Sequence, residues 1–317
     1  MKVVINYQEY SDVEIEKGIL KDLPGIEIVE SRTRDPVEFI SQIRDADAAI
    51  IQYVPCPREV IAAMDRAQVI VRYGIAVESI DLAAAKAKGI RVCNVPSYCL
   101  DEVSNHALAL ILALHRRLLL ADQLLRAEKH TLEAIRPIPR LKDCTAGLLG
   151  FGHIARRLAE KLQPLFRRVI AYDPFVKPEA MARLGVESVS LEELFRTSDF
   201  ISIHVPLTPE TRHLVSPELL RAMKPFAFLI NTSRGAVVDE AALIQALQEK
   251  RIAGAGLDVF ETEPLPKDNP LCSLDNVVLT HHLAWYSEGA IQELKETAAM
   301  EVLRVLRGEE PLYEVKA

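Results

Sequence analysis

The sequence predicts an α/β protein built from two doubly wound parallel-sheet domains. Short apolar runs alternate with helix-patterned stretches along almost the whole chain, and the alternation starts again after residue 143. This alternation is typical of a parallel sheet that is covered by helices on both faces. The length of 317 residues exceeds what one hydrophobic core usually serves, so we expect two domains.

The first unit contains five strand-like runs up to residue 94: KVVIN, IEIVE, DAAII, QVIVR and IRVCN. A helical segment follows at roughly 101–130, and the two prolines of RPIPR at 136–140 predict a loop. Six further runs build the second unit: TAGLLG, RVIAYD, DFISIHV, FAFLIN, AGAGLDV and NVVLT. The last helical pattern covers about 287–308 and ends at a glycine.

The composition is that of an ordinary soluble protein, with 49% hydrophobic and 26% charged residues. The net charge of −7 and the lack of a long Lys/Arg block argue against nucleic acid or an acidic membrane as a partner. The five scattered cysteines contain no CxxC pair, which favours reduced thiols in the cytoplasm over disulfides or a metal site. The chain start does not resemble a signal peptide, and the apolar stretch at 107–120 is interrupted by charge, so we predict no membrane span.

The turn GFGHIA at 150–155 follows an apolar strand and opens an amphipathic helix. Gly150 and Gly152 allow a tight turn and bring the backbone close to a pyrophosphate, whose charge is favoured at a helix N-terminus. A plain structural turn would explain these glycines alone. However, Asp173 ends the next strand, 173 − 152 = 21 residues beyond Gly152, close to the spacing of a ribose-binding acid. The pattern predicts a dinucleotide site, and the acid, with no cation in the next two residues, favours NAD over NADP.

Three potentially catalytic residues, Arg234, Glu263 and His282, each follow a predicted strand. Ligands bind at the carboxyl ends of strands in open α/β sheets. Hydride transfer to a ketone needs a proton donor, and imidazole suits that work near neutrality, so His282 is the predicted acid and His281 its alternative. Glu263 would favour the charged imidazole and orient it, while Arg234 would hold a carboxylate and polarise the carbonyl. Each residue alone has a structural explanation, but their joint placement favours a nicotinamide-dependent oxidoreductase.

Several long stretches, in the same order, resemble the D-isomer-specific 2-hydroxyacid dehydrogenase family: RYGIAVESIDLAAAKAKGIRVCNVPSYCLDEVSNHALAL, PRLKDCTAGLLGFGHIA, ISIHVPLTPETRHLV, INTSRGAVVDEAAL, GLDVFETEPLP and VVLTHHLAWYSEGA. The resemblance implies a Rossmann NAD-binding domain at 99–285, inserted in a flavodoxin-like substrate domain formed by 1–98 and 286–317, with the active cleft between them. It also implies a homodimer joined through the NAD domains. The AWYSE stretch resembles the branch of the C-terminal-binding proteins.

The resemblance assigns residues to three tasks. The catalytic residues are Arg234, Glu263 and His282. The cofactor residues are Gly150, Gly152, His153, Ile154, Asp173, His204, Val205, Pro206, Thr232 and Asp258, the last toward the nicotinamide. The substrate residues are Tyr53, Arg72, Ile75, Ala76 and Trp285, of which Ile75 and Ala76 offer backbone amides to a carboxylate. Trp285, the only tryptophan, has a packed core or interface position as its alternative.

Three positions depart from the family pattern. Ala76 stands where the family commonly has Gly, which would crowd the amides that receive the carboxylate. His281 replaces the usual Pro before His282, and Ala155 replaces the third Gly of the glycine-rich turn. We expect the first two departures to affect substrate choice and pH dependence and none to remove a catalytic role.

These observations predict reversible reduction of a small 2-keto acid to the (R)-2-hydroxy acid by NADH. The alternative is a corepressor-like dimer whose protein binding is regulated by NAD and whose dehydrogenase activity is residual. A structural NAD-domain protein without a substrate fits the three placed residues less well.

Overall fold

A computed structural model describes residues 1–316 of the chain. The chain divides into two compact units, one formed by Met1–Tyr98 with Ser287–Ala317 and the other by Cys99–Tyr286. Within residues 1–316, no helix combines the length and the apolar character that a membrane crossing requires.

The first unit is a five-stranded parallel sheet with helices. Its strands are β1 (Lys2–Asn6), β2 (Glu27–Ser31), β3 (Ala48–Ile51), β4 (Val69–Arg72) and β5 (Arg91–Cys93). Its helices are α1 (Glu14–Leu20), α2 (Pro36–Ile43), α3 (Arg58–Ala63), α4 (Leu82–Ala87) and α12 (Glu288–Leu306). The strand order is β2-β1-β3-β4-β5, which is the flavodoxin-like order.

Local sequence sets the ends of these helices. Asp35 and Asp81 cap α2 and α4 by accepting backbone N–H groups at 2.9 and 2.8 Å. Ser287 caps α12 in the same way at 3.0 Å. Gly308, at φ +78°, takes the left-handed conformation that ends α12.

The second unit is a seven-stranded parallel sheet. Its strands are β6 (Thr145–Leu149), β7 (Arg168–Tyr172), β8 (Glu187–Ser188), β9 (Phe200–Ile203), β10 (Phe228–Asn231), β11 (Gly254–Leu257) and β12 (Val277–Leu279). Its helices are α5 (Leu100–His115), α6 (Leu118–Arg126), α7 (His153–Leu162), α8 (Pro178–Ala182), α9 (Leu191–Thr197), α10 (Pro217–Ala222) and α11 (Glu240–Gln248). The order β12-β11-β10-β9-β6-β7-β8 is the Rossmann order with one added edge strand, and it reverses between β6 and β9.

Both faces of this second sheet are buried. Along β10, Leu229 packs into one hydrophobic cluster, whereas Phe228 and Ile230 pack into the other. A strand covered on both faces reads as a continuous apolar run, which is why FAFLIN and its neighbours predicted strands. The predicted fold class, with two doubly wound parallel sheets and a Rossmann domain, is confirmed.

Two details differ from the sequence prediction. The helical segment at 101–130 is two helices, because Arg117 adopts φ +53° between α5 and α6, with its guanidinium 5.0 Å from the centre of the Phe228 ring. No residue of α6 is buried within the chain. Strand β8 was not predicted, since its two exposed residues carry no apolar pattern.

The five cysteines are free thiols. Four are buried and Cys272 is exposed.

Candidate active site

The loops that carry the three predicted catalytic residues follow neighbouring strands. Asn231 at the end of β10 pairs with Leu257 of β11, and Leu257 pairs with Leu279 of β12. Because the strands are parallel and in register, their following loops leave the same edge of the sheet. This edge therefore brings together the segments that contain Arg234, Glu263 and His282.

His282 and Glu263 are in direct contact. Nδ1 of His282 lies 2.7 Å from Oε2 of Glu263, and the backbone N–H of Phe260 donates to Oε1 of Glu263 at 3.0 Å. A carboxylate accepts only, so Nδ1 carries the proton of this hydrogen bond. Within residues 1–316, Nε2 of His282 has no hydrogen-bond partner, and the side chain is 43% exposed. The ring is thus oriented with Nε2 available for chemistry.

The pKa of Glu263 is lowered from its ordinary value by its surroundings. Burial alone would raise it, but the hydrogen bond and charge of His282, the Phe260 amide and the charge of Arg234 outweigh burial. Glu263 is therefore an anion beside His282 near neutrality.

Arg234 lies at the start of the short 3₁₀ turn that follows β10. Its Nη1 donates to the carbonyl of Ser233 at 2.7 Å, and its own carbonyl accepts from Nδ2 of Asn231 at 3.0 Å. The next residue, Gly235, is buried against the backbone of Phe260. The Arg234 loop and the Glu263 loop are consequently packed directly on one another.

Asp258 follows β11 and is 1% exposed. Its carboxylate accepts hydrogen bonds from the Thr280 hydroxyl at 2.6 Å and from the amides of Leu283 and Ala284 at 3.0 and 2.9 Å. Its contact with a cofactor stays a prediction. The hydrogen bonds assign this carboxylate a structural task in the loop that carries His282.

The predicted glycine-rich turn joins β6 to α7 at the point where the strand order reverses. Gly150 has φ +90°, and a Cβ there would lie 2.9 Å from the carbonyl oxygen of His204 and from Cγ1 of Val205. Gly152 begins α7 without a side-chain cap, and a Cβ there would meet nothing within 4 Å. The first turn of α7 therefore has no side-chain cap, and the space beside Gly152 is open, as an anion site requires.

His153 and Ile154 form the first turn of α7, and Ala155 is fully buried.

Asp173 immediately follows β7, as predicted. Its two carboxylate oxygens accept the backbone N–H groups of Phe151 and Phe175, both at 2.8 Å. These bonds hold the carboxylate beside the glycine-rich turn, because Phe151 lies between its two glycines.

His204, Val205 and Pro206 follow β9, next to the glycine-rich turn. Burial lowers the pKa of His204 to about 4, so the ring is neutral at physiological pH, and Nε2 lies 2.8 Å from the hydroxyl oxygen of Ser202. Thr232 follows β10; its Oγ1 is buried and has no hydrogen-bond partner among the described residues. An unpaired buried hydroxyl is costly, which suggests a partner from a bound molecule.

The predicted substrate residues of the first unit lie beyond the ends of β3 and β4. A Cβ on Gly74 would lie 2.5 Å from Nη1 of Arg72, so this guanidinium lies against Gly74, the residue before Ile75 and Ala76. Asn94 donates to the carbonyl of Ile75 at 2.6 Å. Within residues 1–316 the N–H groups of Ile75 and Ala76 donate no hydrogen bond.

Tyr53 lies beside two guanidinium groups. The Cζ atoms of Arg34 and Arg72 lie 5.0 and 6.0 Å from the centre of its ring. Burial raises the pKa of the Tyr53 hydroxyl, so Tyr53 remains a neutral hydrogen-bonding group.

Trp285 and His281 belong to the second unit, in the segment that contains His282. Trp285 is half-buried, and its ring meets Tyr286 edge to face at 5.9 Å. His281 is exposed. No group of His, Cys, Asp or Glu in the described part of the chain is arranged to hold a metal ion.

Sequence reasoning missed three residues of this region. Gly235 was not distinguished from other loop glycines, although it directly follows a predicted catalytic residue. Thr280 follows strand β12, a position that could have identified it. His106 lies inside α5, where nothing in the sequence pattern indicates its contact with Thr280.

Comparison with known proteins places these features in context. The family described as "D-isomer specific 2-hydroxyacid dehydrogenase, NAD binding domain" matches residues 108–284. A glyoxylate reductase from Korarchaeum cryptofilum is 39% identical over 278 residues, covering 86% of this chain and 83% of the relative. A D-3-phosphoglycerate dehydrogenase from Methanocaldococcus jannaschii is 36% identical over 92% of this chain, which spans 55% of that relative's length.

A solved structure is also similar over nearly its full length. The D-lactate dehydrogenase from Aquifex aeolicus, solved with NAD and lactic acid, is 31% identical, with a TM-score of 0.87. The match covers 97% of this chain and 96% of that chain.

Proposed function

The chain belongs to the D-isomer specific 2-hydroxyacid dehydrogenase family, and from that premise we propose that it reversibly reduces a small 2-keto acid to the (R)-2-hydroxy acid with NADH. The observation that carries this proposal is the 2.7 Å contact between Nδ1 of His282 and Oε2 of Glu263. This contact orients the imidazole and leaves Nε2 available. The ring lies at the edge of the sheet where ligands bind, which also carries the loop of Arg234.

We assign the proton transfer to Nε2 of His282. In reduction, this nitrogen gives its proton to the oxygen of the former ketone, and in oxidation it takes the proton back. Glu263 supports the charged imidazole through the hydrogen bond to Nδ1. Reduction is therefore expected to be favoured on the acidic side and oxidation on the alkaline side.

Arg234 supplies the permanent positive charge. A guanidinium matches a planar carboxylate bidentately and stabilises negative charge that develops on a neighbouring carbonyl oxygen. The substrate class, a 2-keto acid, presents both groups next to each other.

The residues of the second unit fit NAD. The uncapped N-terminus of α7 at Gly152 suits the pyrophosphate, and Asp173 at the end of β7 suits a ribose hydroxyl while repelling a 2′-phosphate. The unpaired Oγ1 of Thr232 and the neutral ring of His204 lie after β10 and β9, on the same edge. The cofactor, when bound, supplies the hydride. We assign residues 99–285 to NAD binding on these grounds.

We assign residues 1–98 and 286–317 to substrate binding. The support is the turn after β4, where the amides of Ile75 and Ala76 donate no hydrogen bond within residues 1–316 and the guanidinium of Arg72 lies alongside. These donors suit the carboxylate of the substrate. We propose that Tyr53 and Trp285 contact the side chain of the substrate.

We further propose a cytoplasmic homodimer joined through the second unit. Helix α6 has no buried residue, and its Leu118, Leu119 and Leu125 are 54%, 47% and 61% exposed. Leu132 beyond it is 65% exposed. A second copy would cover these side chains, so L125E should shift the protein toward monomer in analytical ultracentrifugation; an unchanged mass would refute this interface. The free thiols fit a reducing compartment.

The corepressor-like alternative has no specific support. The relatives named above are a glyoxylate reductase, a D-3-phosphoglycerate dehydrogenase and a D-lactate dehydrogenase, and each is named for its enzyme activity.

The test is the loss of NADH absorbance with glyoxylate, hydroxypyruvate, phenylpyruvate and 4-methylthio-2-oxobutyrate. Wild type and His281→Ala should turn over at least one of these acids. His282→Ala should lose turnover by about a thousand-fold, a typical contribution of an acid–base group, while still binding NADH. Full activity in His282→Ala would remove the proposed role, and no turnover by wild type with any 2-keto acid would overturn the proposed function.

A further inference from the structure

Behind the loop of His282 lies a chain of three polar side chains. Nε2 of His106, on α5, lies 3.0 Å from Oγ1 of Thr280, and that hydroxyl lies 2.6 Å from Oδ1 of Asp258. The His106 side chain is 18% exposed and the Asp258 side chain 1%. These hydrogen bonds thus connect His106 of α5 to the carboxylate of Asp258, next to the loop of His282.

The hydrogens in this chain can be assigned from donor and acceptor capacity. A threonine hydroxyl has one proton, and an ionised carboxylate only accepts. Thr280 therefore donates to Asp258 and must accept from His106. His106 accordingly carries a proton on Nε2, and both donors, His106 and Thr280, direct their hydrogen bonds toward Asp258.

Asp258 in turn holds the backbone around His282. Its carboxylate accepts from the amides of Leu283 and Ala284, and its carbonyl accepts from the amide of His282 at 2.7 Å. Three consecutive amides are thus bound to one residue. His282 itself has φ +56°, a left-handed conformation that costs a non-glycine residue energy and persists only where neighbours impose it.

We propose that His106 and Thr280 are positioning residues for the proton donor. Their hydrogen bonds fix the rotamer of Asp258, Asp258 fixes the left-handed turn at His282, and the turn sets the contact between His282 and Glu263. This inference rests on the proposed function for its effect on turnover. Its structural part, the link from His106 to the amides of the turn, is independent of that function.

The test compares Thr280→Val, which keeps the shape but lacks the hydroxyl, with Thr280→Ser, which keeps the hydroxyl. Thr280→Val should lower kcat by about ten-fold, since small misplacement of a reacting group is costly. Thr280→Ser should recover most of kcat. At α5, His106→Leu should behave as Thr280→Val, while His106→Gln, which retains a donor, should recover part of the rate.

Amide hydrogen exchange supplies a readout that does not depend on turnover. The amides of residues 282–284 should exchange faster in Thr280→Val than in wild type or Thr280→Ser. Wild-type kcat together with wild-type exchange in Thr280→Val would overturn the inference, and so would an equal loss of kcat in Thr280→Ser. If wild type turns over no 2-keto acid but exchange is still faster in Thr280→Val, the proposed function fails while the positioning chain stands.

Discussion

Gly235 lies so close to Phe260 that a side chain at position 235 would overlap the backbone. A Cβ there would be 1.9 Å from the carbonyl carbon of Phe260, 2.0 Å from its oxygen and 2.4 Å from the amide nitrogen of Glu261. Gly235 adjoins Arg234, and the amide of Phe260 donates to Glu263. The spacing between the anion holder and the carboxylate is therefore set by backbone contact.

Gly235→Ala should separate these two loops. We expect kcat/KM for the keto acid to fall by about a hundred-fold, because a shift of about 1 Å in a reacting group has an effect of that order. Steady-state kinetics would measure the change. Gly289→Ala is the control, since position 289 is helical and a Cβ there meets only Ser287 Oγ, at 3.8 Å. Comparable kinetics for the two variants would contradict the role of this contact.

Glu263→Gln should lower the rate of keto-acid reduction. The fold lowers the pKa of Glu263, so the charged carboxylate adds to the free energy of unfolding at any pH above the ordinary carboxyl pKa. This contribution is lost as the pH falls through the lowered pKa of the folded state. Near neutrality the anion is present and accepts the Nδ1 hydrogen of His282. Glutamine is a weaker acceptor and orients the ring less firmly, so the rate of reduction at pH 7 should fall by about ten-fold.

The measurement is the initial rate of NADH oxidation between about pH 5 and pH 9, across the range in which histidine titrates. Glu261→Gln is the matched control, because this nearby carboxylate contacts His213 at 2.7 Å and the amide of Glu240 at 3.2 Å. Wild-type rates across this range in Glu263→Gln would show that the carboxylate does not support His282.

Asp173→Asn should weaken the preference for NADH over NADPH. The carboxamide removes the charge that repels a 2′-phosphate. Its oxygen can still accept one of the two backbone N–H hydrogen bonds that the Asp173 carboxylate accepts. We expect the ratio of kcat/KM values for the two cofactors to fall by about ten-fold, or about 1.4 kcal/mol. A ratio equal to that of wild type would mean that another residue excludes NADPH.

His204→Gln should make the protein more resistant to acid. The fold lowers the pKa of His204 to about 4, so between the ordinary histidine pKa and that value the unfolded chain takes up a proton that the folded chain does not. Stability is therefore lost as pH falls through this window, by on the order of 2 kcal/mol. Urea unfolding at about pH 7 and pH 4.5 would test this. Equal losses in wild type and variant would exclude His204 as the cause.

The fold was accessible from sequence, and candidate site residues could be predicted from it, because both leave local patterns. Strands buried on both faces appear as apolar runs, and Arg234, Glu263 and His282 each follow such a run. Their contacts were inferred from a general property of parallel sheets. The same reasoning located Asp173 at the end of β7.

The positioning residues leave no such pattern. His106 lies in an apolar helix 174 residues before Thr280, and only the three-dimensional packing of α5 on the sheet brings them together. The break at Arg117 was also missed, because it depends on contacts with Phe228 and the carbonyl of Ala253. Long-range contacts, which a single sequence does not display, determine these features.

The distribution of cysteines makes this protein convenient for spectroscopy. Burial shields the other four thiols, and it raises the pKa of Cys56 and Cys93 to about 12 and that of Cys144 to about 11. Cys272 is exposed, in the 3₁₀ turn before β12. A maleimide fluorophore would therefore label the native chain at one natural position, without engineered cysteines, and report from the unit that contains Arg234, Glu263 and His282.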